Sequence, residues 1–271
     1  MPRAAPPTLF ALALLLVVSA CGGADFVYFE SITSGPNPGA TLIVVWMSDS
    51  PADEAEALEV SVARVDLVRG SEVIPLATST QTFDLLSLQN GNRIKLAETN
   101  VEPGAYDRIR VTLVEAGGLV PRVRRGGVWQ PLGFVTPTAH VVEVPYAVQG
   151  SADSTVEVQI DFNARTSLLD GDDGLVLDPR LDALDPGTAG TIAGTVRTAL
   201  GAPIADAIVI LQRTGLEVRS TRTRADGTYT LTPLSPGIYD IDVETPAGKP
   251  PTQVGIGVMA TETTTVDVFV P

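Results

Sequence analysis

The sequence predicts an all-β fold: two β-sandwich domains in tandem. Three observations carry this. Short runs rich in Val, Ile, Thr and aromatic residues recur along the chain, many of them alternating apolar and polar, and turn dipeptides punctuate them. No long segment has helical periodicity; residues 53–58 make one helical turn at most. The Pro/Gly-rich break Leu184-Asp185-Pro186-Gly187-Thr188-Ala189-Gly190 separates two strand-rich regions, as a linker between domains does.

The chain opens on a short charged start, Met1-Pro2-Arg3. An uninterrupted apolar run follows from Leu9 to Val18, and Ser19-Ala20 closes it with small residues before Cys21. Charged region, apolar region and small-residue cleavage site make a secretory signal. The run is shorter than the ~20 residues that span a bilayer. Val18-Ser19-Ala20-Cys21 resembles the bacterial lipobox, which implies a diacylglyceryl thioether on the Cys21 sulfur, cleavage before Cys21 and acylation of the new amino group. Residues 1–20 are therefore expected as a cleaved lipoprotein signal peptide. Residues 21–39, with Gly22-Gly23 and Ser34-Gly35-Pro36-Asn37-Pro38-Gly39, are expected as a short flexible tether.

The first sandwich is expected over residues 40–185. Thr41 to Met47 is a β-rich run. Leu58, Val60 and Val62 alternate, as do Val65 and Leu67, and the change of parity at Ala63-Arg64 predicts a β-bulge. Arg69-Gly70-Ser71, Asn90-Gly91, Glu102-Pro103-Gly104 and Arg125-Gly126-Gly127 read as turns, with Asn90-Gly91 a strong hairpin signal. Ile109, Val111 and Leu113 alternate with Arg108, Arg110 and Thr112. Val156, Val158, Ile160 and Phe162 form the cleanest strand, with Glu157, Gln159 and Asp161 on its opposite face. Residues 186–190 are the linker. The second sandwich, residues 191–271, holds Thr191 to Val196, Ile208 to Leu211, the Asp226-Gly227 turn, Pro236-Gly237, and a closing run from Val266 to Val270.

Composition narrows the chemistry. The 271 residues carry a net charge of −14, and losing Arg3 with the signal takes the remainder to −15 (−14 − 1). Such a surface repels phosphate backbones, so no nucleic-acid partner is expected, nor electrostatic docking on anionic lipid. Cys21 is the only cysteine, so no disulfide closes within a monomer. His140 is the only histidine, which excludes a His/Cys structural zinc site and a zinc peptidase centre. A Ser/His/Asp triad would have to use His140, which reads better as a strand-face histidine making a local hydrogen bond. Lys95, after a turn, and Lys249, in a Gly/Pro loop, are the only lysines, and neither position suggests an activated amine. Trp46 and Trp129 are expected in core packing.

The region over 40–182 resembles a bacterial lipoprotein domain of unknown function. The residues that carry this are the Ser48-Asp49-Ser50-Pro51-Ala52-Asp53 loop and the strand Glu59-Val60-Ser61-Val62-Ala63-Arg64-Val65. Phe83 to Gly91, Pro103 to Arg110, Ile160 to Arg165 and Leu177-Asp178-Pro179 add to it. The resemblance implies a β-sandwich in a lipoprotein and brings no activity with it. Residues from about 190 to 271 resemble the carboxypeptidase regulatory-like domain, a transthyretin-like sandwich. The matching blocks are Ile192 to Val196, Gly201 to Ala207, Thr223 to Tyr229 and Leu234 to Tyr239. Gly194 and Gly201 are read as tight-turn positions. That resemblance implies a non-catalytic companion module.

Two side-chain clusters stand out. Asp170-Gly171-Asp172-Asp173-Gly174 is the densest acid group; Asp170, Asp172 and Asp173 offer calcium a weak oxygen site, although their spacing is not that of an EF-hand, and a solvated turn is the plainer reading. Arg122, Arg124 and Arg125 form a basic spot suited to an acidic polysaccharide or a lipopolysaccharide phosphate, although a solvated hairpin is the commoner reading of such a run. No other cofactor is expected. The resulting expectation is a non-enzymatic binding or scaffold protein, held at the cell envelope through lipid on Cys21. Gly22 after Cys21 points to the outer membrane, facing the periplasm or the surface. Its partners would be envelope proteins or glycans. The alternative is a hydrolase acting on an envelope polysaccharide through a carboxylate pair that nothing in the sequence singles out.

Overall fold

The computed structural model describes residues 35–50, 55–138, 140–172, 174–245, 248–250 and 252–271. Cys21 and the segment expected as a signal peptide lie outside these residues. Residues 35–271 form one compact unit.

Fourteen strands build the first half. They are β1 (Thr41–Ser50), β2 (Ala57–Arg69), β3 (Glu72–Ala77), β4 (Gln81–Asp84), β5 (Ile94–Val101), β6 (Gly104–Leu113), β7 (Arg122–Arg125) and β8 (Val128–Pro131). After β9 (Gly133–Phe134), β10 (Val141–Gly150) and β11 (Ser154–Asn163) comes the short helix α1 (Ala164–Ser167), then β12 (Leu168–Gly171), β13 (Gly174–Leu177) and β14 (Leu181–Leu184). One sheet runs β14-β11-β1-β5, with β1 and β11 parallel; a second runs β10-β6-β2-β7-β8, with β3 and β4 also on β2; a small third runs β12-β13-β9. Val45, Met47, Ile160 and Phe162 from the first sheet meet Leu58, Val60, Leu67, Ile109 and Val111 from the second, all of them buried. The register of β2 against β6 shifts between Val62 and Arg64, the bulge that the parity change predicts.

The second half contains β15 (Gly190–Thr198), β16 (Ile208–Arg213), β17 (Leu216–Arg222), β18 (Thr228–Leu234), β19 (Gly237–Glu244), β20 (Gln253–Val258), β21 (Thr263–Thr265) and β22 (Val268–Val270). The order β18-β15-β21, with β22 also on β15, faces the order β17-β16-β19-β20. Ile192, Val196, Val209, Leu211, Tyr229, Leu231, Ile241 and Val243 fill the space between. The two halves share no strand.

Three local readings change. Gly194 has an ordinary strand backbone, not a turn. It is needed because the Val266 carbonyl oxygen passes 1.8 Å from where a Cβ would sit. Gly201, at φ +86°, does serve a turn. Asn90-Gly91, with φ of 57° and 86°, links a 3-10 turn (Leu85–Leu88) to β5, not two paired strands. Trp129 is no core residue: it is 37% exposed on the edge strand β8.

Candidate functional site

β1 explains where the two halves meet. Its inward residues Val45 and Met47 join the first core, yet Leu42, Val44, Ser48 and Ser50 on the opposite side are also buried. On the neighbouring β11, Gln159 and Asp161 are 1% and 5% exposed. Around Ser48, Ser50, Gln159 and Asp161 this second face is covered by the second sandwich, chiefly by edge strand β17.

Arg219 from β17 enters this face. Its guanidinium reaches Asp161 Oδ1 at 3.0 Å, donates to the Thr232 carbonyl at 2.9 Å and approaches the Ser48 hydroxyl at 3.3 Å. Ser48 donates in turn to Asp161 Oδ1 at 3.1 Å. One residue on, the Ser220 N–H donates to Ser50 Oγ at 3.2 Å. Both ion-pair side chains are only 6% exposed. A buried pair is sustainable where further hydrogen bonds satisfy both charges, as Ser48 and Thr232 do. Burial nonetheless raises the Asp161 carboxyl above its ordinary range, with Arg219 opposing.

Asn90 makes a second latch. Its side chain donates to the Arg222 carbonyl at 3.0 Å and accepts from the Thr230 N–H at 3.1 Å, while its own carbonyl accepts from Arg224 at 3.3 Å. One amide therefore bridges β17 and β18, which belong to different sheets of the second sandwich. Arg165, just after β11, adds ion pairs to Glu217 at 3.1 Å and Glu244 at 3.4 Å.

Asp49, beside Ser48, is buried. Its Oδ1 accepts from the Ala164 N–H at 3.2 Å, and its Oδ2 has no hydrogen-bond partner among the described residues. Burial pushes this carboxyl well above the usual carboxylate range, and the Asp161 charge adds to the rise. The folded chain thus retains a proton that the unfolded chain gives up, so Asp49 reduces stability as pH rises from the ordinary carboxylate value through the raised one. Asp49→Asn keeps the oxygen that Ala164 uses and removes the titration. It is expected to raise stability at neutral pH and to flatten this decline. Urea midpoints across pH 4–8 check it, and an unchanged slope with pH would contradict it.

The residues singled out in sequence fall elsewhere. His140 Nδ1 lies 2.9 Å from the Pro137 carbonyl and 2.9 Å from a Glu115 oxygen, a local arrangement ahead of β10. Lys249 pairs with Asp242 at 3.0 Å. The basic spot is neutralised: Arg122 binds Glu59 through two contacts of 2.7 and 3.0 Å, and Arg124 meets Glu56 at 3.0 Å. Both guanidiniums lie over the Trp129 ring, 4.6 and 5.6 Å from its centroid. Trp46 is half-buried under Arg93, whose guanidinium stands 4.1 Å from the ring centroid. Asp170 and Asp172 are exposed at the β12–β13 hairpin; Asp173 and Cys21 lie outside the described residues. Sequence reading missed Arg219 and Asn90. The available signal was the alternating polar set Ser48, Ser50, Gln159 and Asp161, which periodicity alone cannot distinguish from a solvated face.

Residues 40–179, just over half of the 271, match the family model described as "Domain of unknown function (DUF4382)". The chain belongs to this family. In the DUF4382 region lie Ser48, Asp49, Asn90 and Asp161; Arg219 comes from residues 191–271, which match the carboxypeptidase regulatory-like domain. No curated protein matches the chain. Among solved structures, the Bacillus anthracis TIE protein aligns with 84% of this chain at 8% identity and a TM-score of 0.27, and the chain spans only 40% of that protein's length. The minor pilin GBS52 of Streptococcus agalactiae aligns at 11% identity and a TM-score of 0.24, covering 84% of this chain and 96% of the pilin. The shaft pilin spaA of Lactobacillus rhamnosus GG gives 8% identity and a TM-score of 0.26, covering 85% and 96%. Among the described residues no helix is long and apolar enough to cross a membrane.

Proposed function

We propose that this DUF4382 protein is a non-catalytic binding and scaffold module of the cell envelope, anchored by lipid on Cys21, that holds its regulatory-like sandwich at a fixed orientation. The observation that carries the reading is the buried Arg219–Asp161 contact, sealed by Ser48 and Thr232. Its two charged groups are paired with each other across the junction. Such a junction suits a rigid spacer that displays surfaces, and partners would be envelope proteins or glycans. The anchor fits the lipobox-like run and the −15 charge (−14 − 1), which gives no attraction to anionic lipid. Two or more acyl chains hold a protein stably on a membrane, whereas one does so only marginally.

Cys21→Ser is expected to move the protein from the membrane pellet to the soluble fraction with its thermal midpoint unchanged. A variant that still sediments at high salt would overturn the anchor. Incubation of the purified chain with envelope polysaccharides should bind them or leave them untouched; release of new chain ends would support hydrolysis instead. Calcium at the Asp170–Asp173 turn belongs to the same reading: millimolar calcium should raise the melting temperature, and an unshifted calorimetric trace would dismiss the site.

A further inference from the structure

The outer face of β1 holds two apolar residues that neither sandwich core accounts for. Successive strand residues alternate between faces, and Ile43, Val45 and Met47 enter the core of the first sandwich. Leu42 and Val44 point the other way. Each is 1% exposed, yet among the described residues neither belongs to either hydrophobic core. Their register partners on β11, on the same face, are Thr155 and Glu157, and both are exposed. On β5 the partners are Asn100 and Glu98, both partly buried. Two apolar side chains shut off from water beside wet neighbours need chain laid directly over them. The second sandwich covers the far end of β1, at Ser48 and Ser50. At ~3.3 Å per strand residue, Val44 lies ~13 Å short of Ser48.

The chain enters β1 at this same place. The Asn37 N–H donates to Asn100 Oδ1 at 2.8 Å, and Asn100 is the register partner of Leu42. The Gly39 N–H donates to Asp153 Oδ1 at 2.8 Å, and the Asp153 N–H to the Ala40 carbonyl at 2.8 Å. These bonds fix the entry beside Leu42, so the chain preceding Asn37 starts from there. Within it, Phe26-Val27-Tyr28-Phe29-Glu30-Ser31-Ile32 has five apolar residues of seven. It holds three of the chain's 14 aromatic residues (2 Trp + 5 Tyr + 7 Phe), a composition suited to packing and unlike a Gly/Ser linker.

We propose that residues 26–32, which lie outside the described residues, dock on the outer face of the first sheet and cover Leu42 and Val44. Ile32 is five residues from Asn37, up to ~17 Å, and Phe26 eleven residues, up to ~36 Å. Leu42 to Val44 occupies only ~7 Å of strand, so the segment reaches both. Docking removes apolar surface from water on both partners. The flanking carboxylates already have cations, Glu98 pairing with Lys95 and Glu157 facing Arg93 at 3.8 Å. Docking also shortens the tether, a consequence that rests on the lipid-anchor reading of Cys21. Only Gly22 to Asp25 then separate anchor and docked chain, at most ~18 Å from Cys21 to Phe26. A free tether over residues 21–39 would have an r.m.s. span of ~24 Å and no set direction. The sandwiches therefore stand at a fixed height above the membrane.

Hydroxyl-radical footprinting, which oxidises side chains at rates set by their access to water, tests the docking. It is run on the full chain in detergent and on the Cys21→Ser chain without detergent. In both, Phe26, Tyr28 and Phe29 should be oxidised several-fold more slowly than in a synthetic peptide of residues 24–34. Phe26→Ser combined with Phe29→Ser changes no residue of either core described above. It should raise Leu42 and Val44 oxidation several-fold while circular dichroism stays that of the parent. A peptide-like rate at Phe26, Tyr28 and Phe29, or unchanged Leu42 and Val44 rates in the variant, would overturn the docking and leave the anchor and scaffold readings in place. Protection confined to the detergent sample would assign the cover to lipid, and protection lost on dilution would assign it to a second copy; either result also overturns it. A Cys21→Ser chain that stays in the membrane pellet ends the anchor reading alone, since the footprint decides the docking independently.

Discussion

Arg219→Ala is expected to lower the unfolding free energy by about 3–5 kcal/mol, the range for removing one partner of a buried ion pair. The physical cause lies in what remains. Asp161, 5% exposed, would keep only the neutral Ser48 and Ser50 hydroxyls, and the Thr232 carbonyl would lose its donor. Leaving buried groups unpaired costs more than the net gain of the pair they formed. A companion variant separates the two effects: Arg219→Met with Asp161→Leu replaces the pair by apolar side chains and should cost little. Urea unfolding measures both. An Arg219→Ala loss below about 1 kcal/mol, the value of an exposed pair, would show that the junction is wetter than its geometry.

Gly194→Ala is expected to be as damaging for a different reason. Its Cβ would sit 1.8 Å from the Val266 carbonyl oxygen and 2.6 Å from the Val266 carbonyl carbon. Backbone cannot yield as a flexible side chain can. Val266 is tied down twice, its N–H donating to the Ala193 carbonyl at 2.9 Å and its carbonyl accepting from the Tyr229 hydroxyl at 2.8 Å. Overpacking typically costs 1–3 kcal/mol, and a clash with fixed backbone belongs at or beyond the top of that range. The second sandwich should lose cooperative unfolding, or the protein should fail to accumulate. Gly201→Ala is the control: nothing stands within 4 Å of its Cβ, so only the φ of +86° resists it. The Gly201 variant should fold with a modest loss, and a Gly194 variant melting within a few degrees of the parent would contradict the close-approach argument.

The β architecture was legible because alternation reports a half-buried strand directly. The bulge in β2 shows how far this goes: Ala63 and Arg64 break the parity, and the register slips there. Turn residues were legible where their backbone demands are local, as at Gly126 and Gly127, with φ of 55° and 76° between β7 and β8. What was not legible depends on partners distant in sequence. Gln159 and Asp161 have the pattern of a wet face, and only the arrival of β17 buries them. Asn90 has a hairpin residue's backbone, yet its side chain spans to Arg222 and Thr230, more than 130 positions on. Residue type alone points Trp129 to a core, and the structure instead places it on an edge strand under two arginines. Arg122 and Arg124 looked like a basic spot because Glu56 and Glu59, which neutralise them, lie more than 60 residues earlier.

The candidate site was least legible because it belongs to neither sandwich alone. Ser48 and Asp161 come from one family's segment and Arg219 and Thr232 from the other's, and each set taken separately reads as ordinary strand polarity.

The central claim is that the two sandwiches behave as one body locked through Arg219, Asp161 and Asn90. Differential scanning calorimetry of the intact chain tests it most directly. A locked junction predicts a single transition whose calorimetric and van't Hoff enthalpies agree. Two separate transitions in the intact protein, each with its own midpoint, would contradict the account.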